Sequence, residues 1–180
     1  MWIDPKTYIN YHKLPVILEE AQQLFEKTSL DQLREVGFTW PGRNAFSLLV
    51  INKETDKVGP EVFKELLPLL KDLPGLKQCF INIIGPNTDL QDHKDDQAIG
   101  DINSPSRCYQ IVLAIKIPST DPEVVGFHVN NEIRSYDSGA IVAFDGQTYT
   151  HGGWNRSADY RITMCIDFDN SLSYWAATLP

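Results

Sequence analysis

The sequence has little cysteine: only Cys79, Cys108 and Cys165, widely spaced and never in a CxxC pair. An odd, scattered set argues against a disulfide framework. Each thiol lies in an apolar, strand-like stretch where a free cysteine buries well, so buried free thiols are expected rather than metal ligands or nucleophiles. Positive charge is also short, with 16 Lys and Arg against 24 Asp and Glu and a formal charge of -8. Such a molecule repels polyanions, and with no local basic stripe a nucleic-acid partner is not expected. No apolar run approaches the roughly twenty residues of a membrane span. The longest, Cys79 to Gly85 and Ile111 to Ile117, are of strand length. Met1 to Asn10 contains Asp4 and Lys6 and lacks the apolar region of a secretory signal. These absences lead to the expectation of a cytoplasmic protein with no membrane partner.

What is present suits one folded unit. The chain has 180 residues, 42% of them hydrophobic and 22% charged, enough for one core and few for two domains. Leu14, Ile17, Leu18, Ala21, Leu24 and Phe25 recur at steps of three and four, which predicts an amphipathic helix. Ser29 and Asp31 suit the cap of a short second turn. After Trp40-Pro41-Gly42, the segment Ala45 to Asn52 reads as a strand. Val62, Phe63, Leu66, Leu67 and Leu70 predict a helix over 61–73, with Pro68 as a kink or early end. Strands are then expected at 78–84, 109–117, 126–129, 132–136, 140–145 and 160–168, separated by Gly, Pro, Asn and Asp turn signals. Helices followed by many short strands predict an α+β, mainly β chain: N-terminal helices packed on a double-layered, cupin-like jelly roll. The expected organisation is a single domain over 1–180, with 1–77 as mainly helical support plus one or two strands and 78–170 as the β core with the chemistry.

There are four histidines, and two of them, His93 and His151, sit in polar, turn-adjacent stretches of the β half. His93 and Asp95 are two apart, so on an extended segment both side chains can point to one side. Two imidazoles and one carboxylate on one face of an octahedral ion leave the other face open, which suits Fe(II) that must bind a keto acid and dioxygen together. His93, Asp95 and His151 are therefore the candidate ligands, with an HxD pair alone being a weak signal. Arg161 follows His151 by ten residues, with Thr163 on the same strand face. A keto acid chelated at one end needs a partner for its far carboxylate, and a guanidinium with a neighbouring hydroxyl supplies one. A solvent-facing Arg161, or one paired with Asp159 or Asp167, is the plain alternative.

Asn82-Ile83-Ile84-Gly85-Pro86 through His93, Leu113 to Pro118, and Asn131-Glu132 through Gly139 to Asp145, His151, Trp154, Arg161 and Asp167 together resemble the aspartyl/asparaginyl β-hydroxylase family. The resemblance covers roughly residues 80 to 170. It implies a double-stranded β-helix, Fe(II), 2-oxoglutarate and O2, with succinate and carbon dioxide as co-products. His93 and His151 then look like the iron-binding histidines and Arg161 like the keto-acid arginine. Asn82 falls where the family places a small polar residue near the co-substrate.

Two departures stand out. Well-known family members have glycine where this chain has Asp95, and here the carboxylate is restored, with Asp92 or Asp96 as alternative acids. The family also carries a substrate-side arginine a few residues before the Leu113 strand, where this chain has Gln110, with Arg107 nearby and Arg134 and Arg156 as possible substitutes. The expected activity is hydroxylation of a C–H bond in an amino acid, short peptide or related small molecule. Trp40, Arg43, Asn130, Asn131, Arg134, Trp154 and Asn155 are possible pocket residues. The competing reading is a cupin-like metal-binding protein or isomerase without 2-oxoglutarate, from which Arg161 with Thr163 would distinguish an oxygenase.

Overall fold

The computed structural model describes residues 1–95, 108–171 and 173–176. Its elements in chain order are β1 (Trp2–Ile3), α1 (Leu14–Lys27), α2 (Leu30–Val36), β2 (Phe38–Thr39), β3 (Ala45–Asn52), β4 (Lys57–Val58), α3 (Leu66–Lys71), β5 (Leu76–Ile84), β6 (Thr88–Asp89), β7 (Cys108–Lys116), β8 (Val125–Val129), β9 (Glu132–Arg134), β10 (Ile141–Phe144), β11 (His151–Asn155) and β12 (Arg161–Asp169). Among the described residues no helix is long and apolar enough to cross a membrane.

The helices form where their apolar periodicity predicts. In α1, Leu14, Ile17, Leu18 and Ala21 are buried, and Pro15 sits in the first turn, where a missing N–H costs nothing. Ser29 occupies the cap position of α2 but makes no side-chain capping bond. The expected helix over 61–73 is divided into a 3-10 turn at Glu61–Phe63 and α3. Pro68 neither kinks nor ends α3, because it is the third residue and lies among the N–H groups that have no helical partner anyway.

Among the described residues twelve strands make two antiparallel sheets. The larger runs β1-β10-β7-β12-β5-β3-β2, with β4 also on β3; the smaller runs β6-β11-β8-β9. This is a mainly β double-stranded β-helix with N-terminal helices packed on the outer face of the larger sheet, as α1 does on β7. The central strands β5, β7 and β12 are largely buried on both faces, with apolar residues outward and a mixture of polar and apolar residues inward. Outward residues such as Ile81, Leu113, Ile162, Met164, Ile166 and Phe168 join the main core beneath the helices. Each such side chain contributes roughly 1.5–3 kcal/mol through burial. Inward residues face the smaller sheet and line a cavity.

Five of the described strands were not expected from the sequence: the two-residue β1, β2, β4 and β6, and the longer β11. His151, turn-adjacent as expected, opens β11, which pairs with β8 and β6. Its Gly-Gly pair hides the strand from composition, since glycine is depleted in strands.

Candidate metal and anion site

His93 and His151 meet across a one-residue antiparallel bridge in which each backbone N–H donates to the other's carbonyl at 2.9 Å. Their rings lie 4.4 Å apart. Asp95 is anchored by its own N–H, which donates to Gly146 O at 3.1 Å. One ligand atom from each of His93, Asp95 and His151 falls within 4.8 Å of the others. Asp95 Oδ1 stands 3.3 Å from His151 Nε2 and 4.0 Å from His93 Nε2.

Both rings are oriented from behind. His93 Nδ1 lies 2.9 Å from Gln91 O and His151 Nδ1 3.2 Å from Tyr149 O. A carbonyl only accepts, so each Nδ1 carries the proton and each Nε2 is left with a lone pair for a metal. Burial works to lower the pKa of His151, but Asp95 outweighs it and holds the ring above its ordinary value. Burial, and then the neighbouring His151, push His93 below it. Asp95 Oδ2 is buried and has no partner among the described residues. A Cβ on Gly146 would stand 2.1 Å from that oxygen, so the glycine makes the room it occupies. A carboxylate with Oδ1 beside two imidazole nitrogens and Oδ2 left without a partner fits a divalent transition metal.

Of the two alternative acids, one is described. Asp92 turns away, its Oδ1 2.8 Å from His128 Nε2, and Asp96 lies outside the described residues.

Arg161 opens β12 on the inward face and is 4% exposed. Its Nη2 donates to the Tyr136 hydroxyl at 2.7 Å, and its guanidinium carbon sits 5.7 Å from the Phe127 ring centre. Among the described residues it has no carboxylate partner: Asp159 pairs with Lys116 and Asp167 bonds elsewhere, which overturns both pairings considered from sequence. Its Nε has no partner. A Cβ on Gly153 would come within 2.6 Å of Nη1, so this glycine too clears space for a charged group. A buried guanidinium with an unused donor edge fits an anion.

Antiparallel register arranges the inward face of the larger sheet in rows. Arg161 pairs with Ile84, Thr163 with Asn82 and Asn82 with Ser47. Cys165 lies beside Phe80 and Val112, and Asp167 beside Gln78 and Gln110. All these residues line one cavity of about 300 Å³, together with His93, Asp95 and His151. Thr163 and Asn82 therefore sit next to Arg161 on the same wall. All three cysteines are buried and free.

At the far end, Asp167 accepts from Gln78 Nε2 at 2.7 Å and from Gln110 Nε2 at 2.9 Å. Burial, and then the charge of Asp95, push its carboxyl up to about 7. Gln110 is thus a support for Asp167. Arg107 lies outside the described residues. Arg134 lies over Trp2 and pairs with Glu132, and Arg156 pairs with Asp89, so neither replaces a pocket arginine. Of the possible pocket residues only Trp40 lines the cavity. Asn155 is buried, donating to Ile84 O, Gly85 O and Asp159 O, and Trp154 donates to Pro122 O. Asn130 and Asn131 border a separate depression beside His128, and Arg43 is not among the lining residues.

The family model described as aspartyl/asparaginyl beta-hydroxylase matches residues 11–171. The chain belongs to the aspartyl/asparaginyl β-hydroxylase family. Among curated proteins none matches it in sequence. Among solved structures it is similar to a Pseudomonas putida prolyl-4-hydroxylase, at 11% identity and a TM-score of 0.56, covering 92% of this chain and 90% of that one. It is also similar to an oxidoreductase of the 2OG-Fe(II) oxygenase family from Burkholderia pseudomallei, at 10% identity and a TM-score of 0.47, covering 86% and 90%. At such identities the first likeness speaks for the fold alone. In this β-hydroxylase family member, sequence reasoning missed Tyr136, Phe127 and Gln78, whose partners lie far along the chain. The one available signal was the inward register that Gln78 shares with Asn82.

Proposed function

We propose that this chain is an Fe(II)- and 2-oxoglutarate-dependent dioxygenase that hydroxylates a C–H bond of an amino acid, short peptide or related small molecule. His93, Asp95 and His151 hold the metal, Arg161 and Thr163 hold the far carboxylate of the keto acid, and Asn82 lies beside it. The observation that supports this reading best is a pair of orphaned, buried polar atoms, Asp95 Oδ2 and Arg161 Nε, belonging to residues that line the same cavity. One calls for a cation and the other for an anion. Bound iron and 2-oxoglutarate would supply the oxidation of the C–H bond by dioxygen, with succinate and carbon dioxide as co-products.

The protein's share is positional. The backbone bridge between His93 and His151 sets the distance between the two imidazoles before any metal arrives. Their Nδ1 contacts hold the rings in the ligating tautomer. Tyr136 orients one edge of Arg161 and leaves Nε free for a carboxylate. Phe80, Val112 and Phe127 line the space with apolar surface and keep water out of it. A cupin-like protein without 2-oxoglutarate would have no use for an open guanidinium edge beside a threonine. Buried free thiols suit a reducing compartment, so the cytoplasm belongs to the proposal, as does the reading of 1–180 as one oxygenase domain.

Anaerobic titration of the protein with Fe(II) and 2-oxoglutarate tests the proposal. A visible charge-transfer band of the chelate, followed by succinate release on admitting air, is the expected result; absence of both from folded protein overturns it. His151→Ala should abolish the band. Asp95→Gly that keeps full iron affinity would show that two histidines suffice.

A further inference from the structure

The cavity has an outer part to which the proposed function gives no task. Val36, Phe38 and Trp40 occupy alternate positions at the end of α2 and along β2, and all three turn into the cavity. Gly37 lets this segment lie close to β3, since a Cβ there would stand 2.9 Å from Phe46 Cδ2 and 3.1 Å from Ser47 O. Val36 and Phe38 are 60% and 40% exposed, large apolar side chains left open to water on the rim of a polar site.

Trp40 is fixed in place. Its Nε1 donates to Ser47 Oγ at 3.0 Å, that hydroxyl donates to Asn82 Oδ1 at 2.6 Å, and Asn82 Nδ2 donates to Cys165 Sγ at 3.3 Å. The indole lies 5.7 Å from the His93 ring, centre to centre. A rigid apolar wall therefore stands next to the candidate metal ligands, tied by hydrogen bonds to the same polar row that holds Asn82.

Charge narrows what this wall can meet. Among the described lining residues the charged side chains, besides the two histidines, are Asp95, Arg161 and Asp167. Under the proposed function Asp95 binds metal and Arg161 the keto acid, while two glutamine amides hold Asp167. No described cation then remains for a substrate carboxylate, and burying one unpaired is costly.

We propose that the substrate enters with an uncharged apolar group, aliphatic or aromatic, laid against Trp40 and Phe38, and that Trp40 sets this preference. The inference rests on the reading of Arg161 as the keto-acid partner. It goes beyond that reading by naming the chemistry of the substrate's reacting end.

Two matched probe pairs test it by ligand-observed NMR: 4-methylpentanamide with 4-methylpentanoate, and 3-phenylpropanamide with 3-phenylpropanoate. The full chain is loaded with Fe(II) under argon and with N-oxalylglycine, an unreactive 2-oxoglutarate analogue. Each amide should bind roughly tenfold tighter than its carboxylate, the cost of a buried unpaired charge. Trp40→Ala should weaken amide binding by about fivefold, and Phe38→Ala, at the exposed rim, by about twofold. Phe38→Arg should narrow or reverse the preference. Carboxylates that bind as well as the amides, amides that ignore both alanine variants, or amides that do not bind overturn the proposal. Failure of N-oxalylglycine itself to bind falls on the keto-acid reading instead. The amide titrations with the two alanine variants, repeated without the analogue, then still decide the apolar group.

Discussion

On one face of β12, Ile162, Met164, Ile166 and Phe168 pack into the core beneath the helices; on the other, Arg161, Thr163, Cys165 and Asp167 line the cavity. Both sets are at most 4% exposed, so burial alone does not distinguish them. The outward face repays its burial by apolar contact. The inward face keeps polar groups dry, Asp167 held by two glutamines and Cys165 by Asn82, and Arg161 only partly satisfied. Substitutions on the outward face should therefore act on stability, and substitutions on the inward face on ligands.

The largest effect should come from the outward face. Phe168→Ala leaves a cavity among Tyr8 and Trp175 and should cost about 3–5 kcal/mol in urea unfolding. Its folded fraction should still bind Fe(II); loss of metal in proportion greater than loss of fold would break the division.

Next in size is Arg161→Gln, which removes the charge but keeps an amide. Affinity for 2-oxoglutarate should fall by about 1.5–3 kcal/mol, read from the charge-transfer band, as expected for loss of a charge-assisted bond. Fe(II) binding and the unfolding midpoint should hold or improve, because a partly unpaired buried charge is gone. Equal loss of metal and keto acid would sink the division of roles.

Gly153→Ala sharpens the comparison without touching either group. A Cβ 2.6 Å from Arg161 Nη1 must displace the guanidinium, and half-saturation by 2-oxoglutarate should rise by roughly tenfold. An unchanged value would mean that Arg161 can move without consequence.

The last effect, which depends on pH, concerns Asp167. Its carboxyl is raised from 3.8 to about 7 by burial, then by the charge of Asp95, so it holds its proton more tightly folded than unfolded. A group raised in this way contributes stability that is complete below about pH 4 and lost as pH rises through about 7. In metal-free protein, Asp167→Asn should remove that loss. As pH rises from about 5 to about 8 the variant should gain steadily on the parent in urea unfolding. Parallel pH profiles would show that Asp167 titrates alike in both states.

Much of this arrangement was legible in the sequence because it depends on period. The three- and four-residue steps of Leu14 to Phe25 specify α1, and the two-residue step between His93 and Asp95 aims both side chains one way. Strand alternation places Arg161 and Thr163 on one face. Where local pattern was weak, the reading failed: the glycines of β11 hid a strand, and Pro68 was read as a break although it falls harmlessly in a first turn. Partners from distant segments were not legible at all. Asp92 is drawn off by His128, 36 residues away, and Gln110 supports Asp167 from 57 residues away.

The sequence by itself determined the class of the molecule, helices before a β core, and marked its candidate chemical groups: His93, Asp95 and His151 as a candidate ligand set, and Arg161 with Thr163 as a candidate anion partner. Only the tertiary structure decided that Asp95 rather than Asp92 turns toward the histidines, which side of Arg161 stays open, and that Trp40 stands beside His93. Period and composition act between near neighbours along the chain. Orphaned atoms, cleared space and charge balance arise only when strands distant in sequence are brought into register.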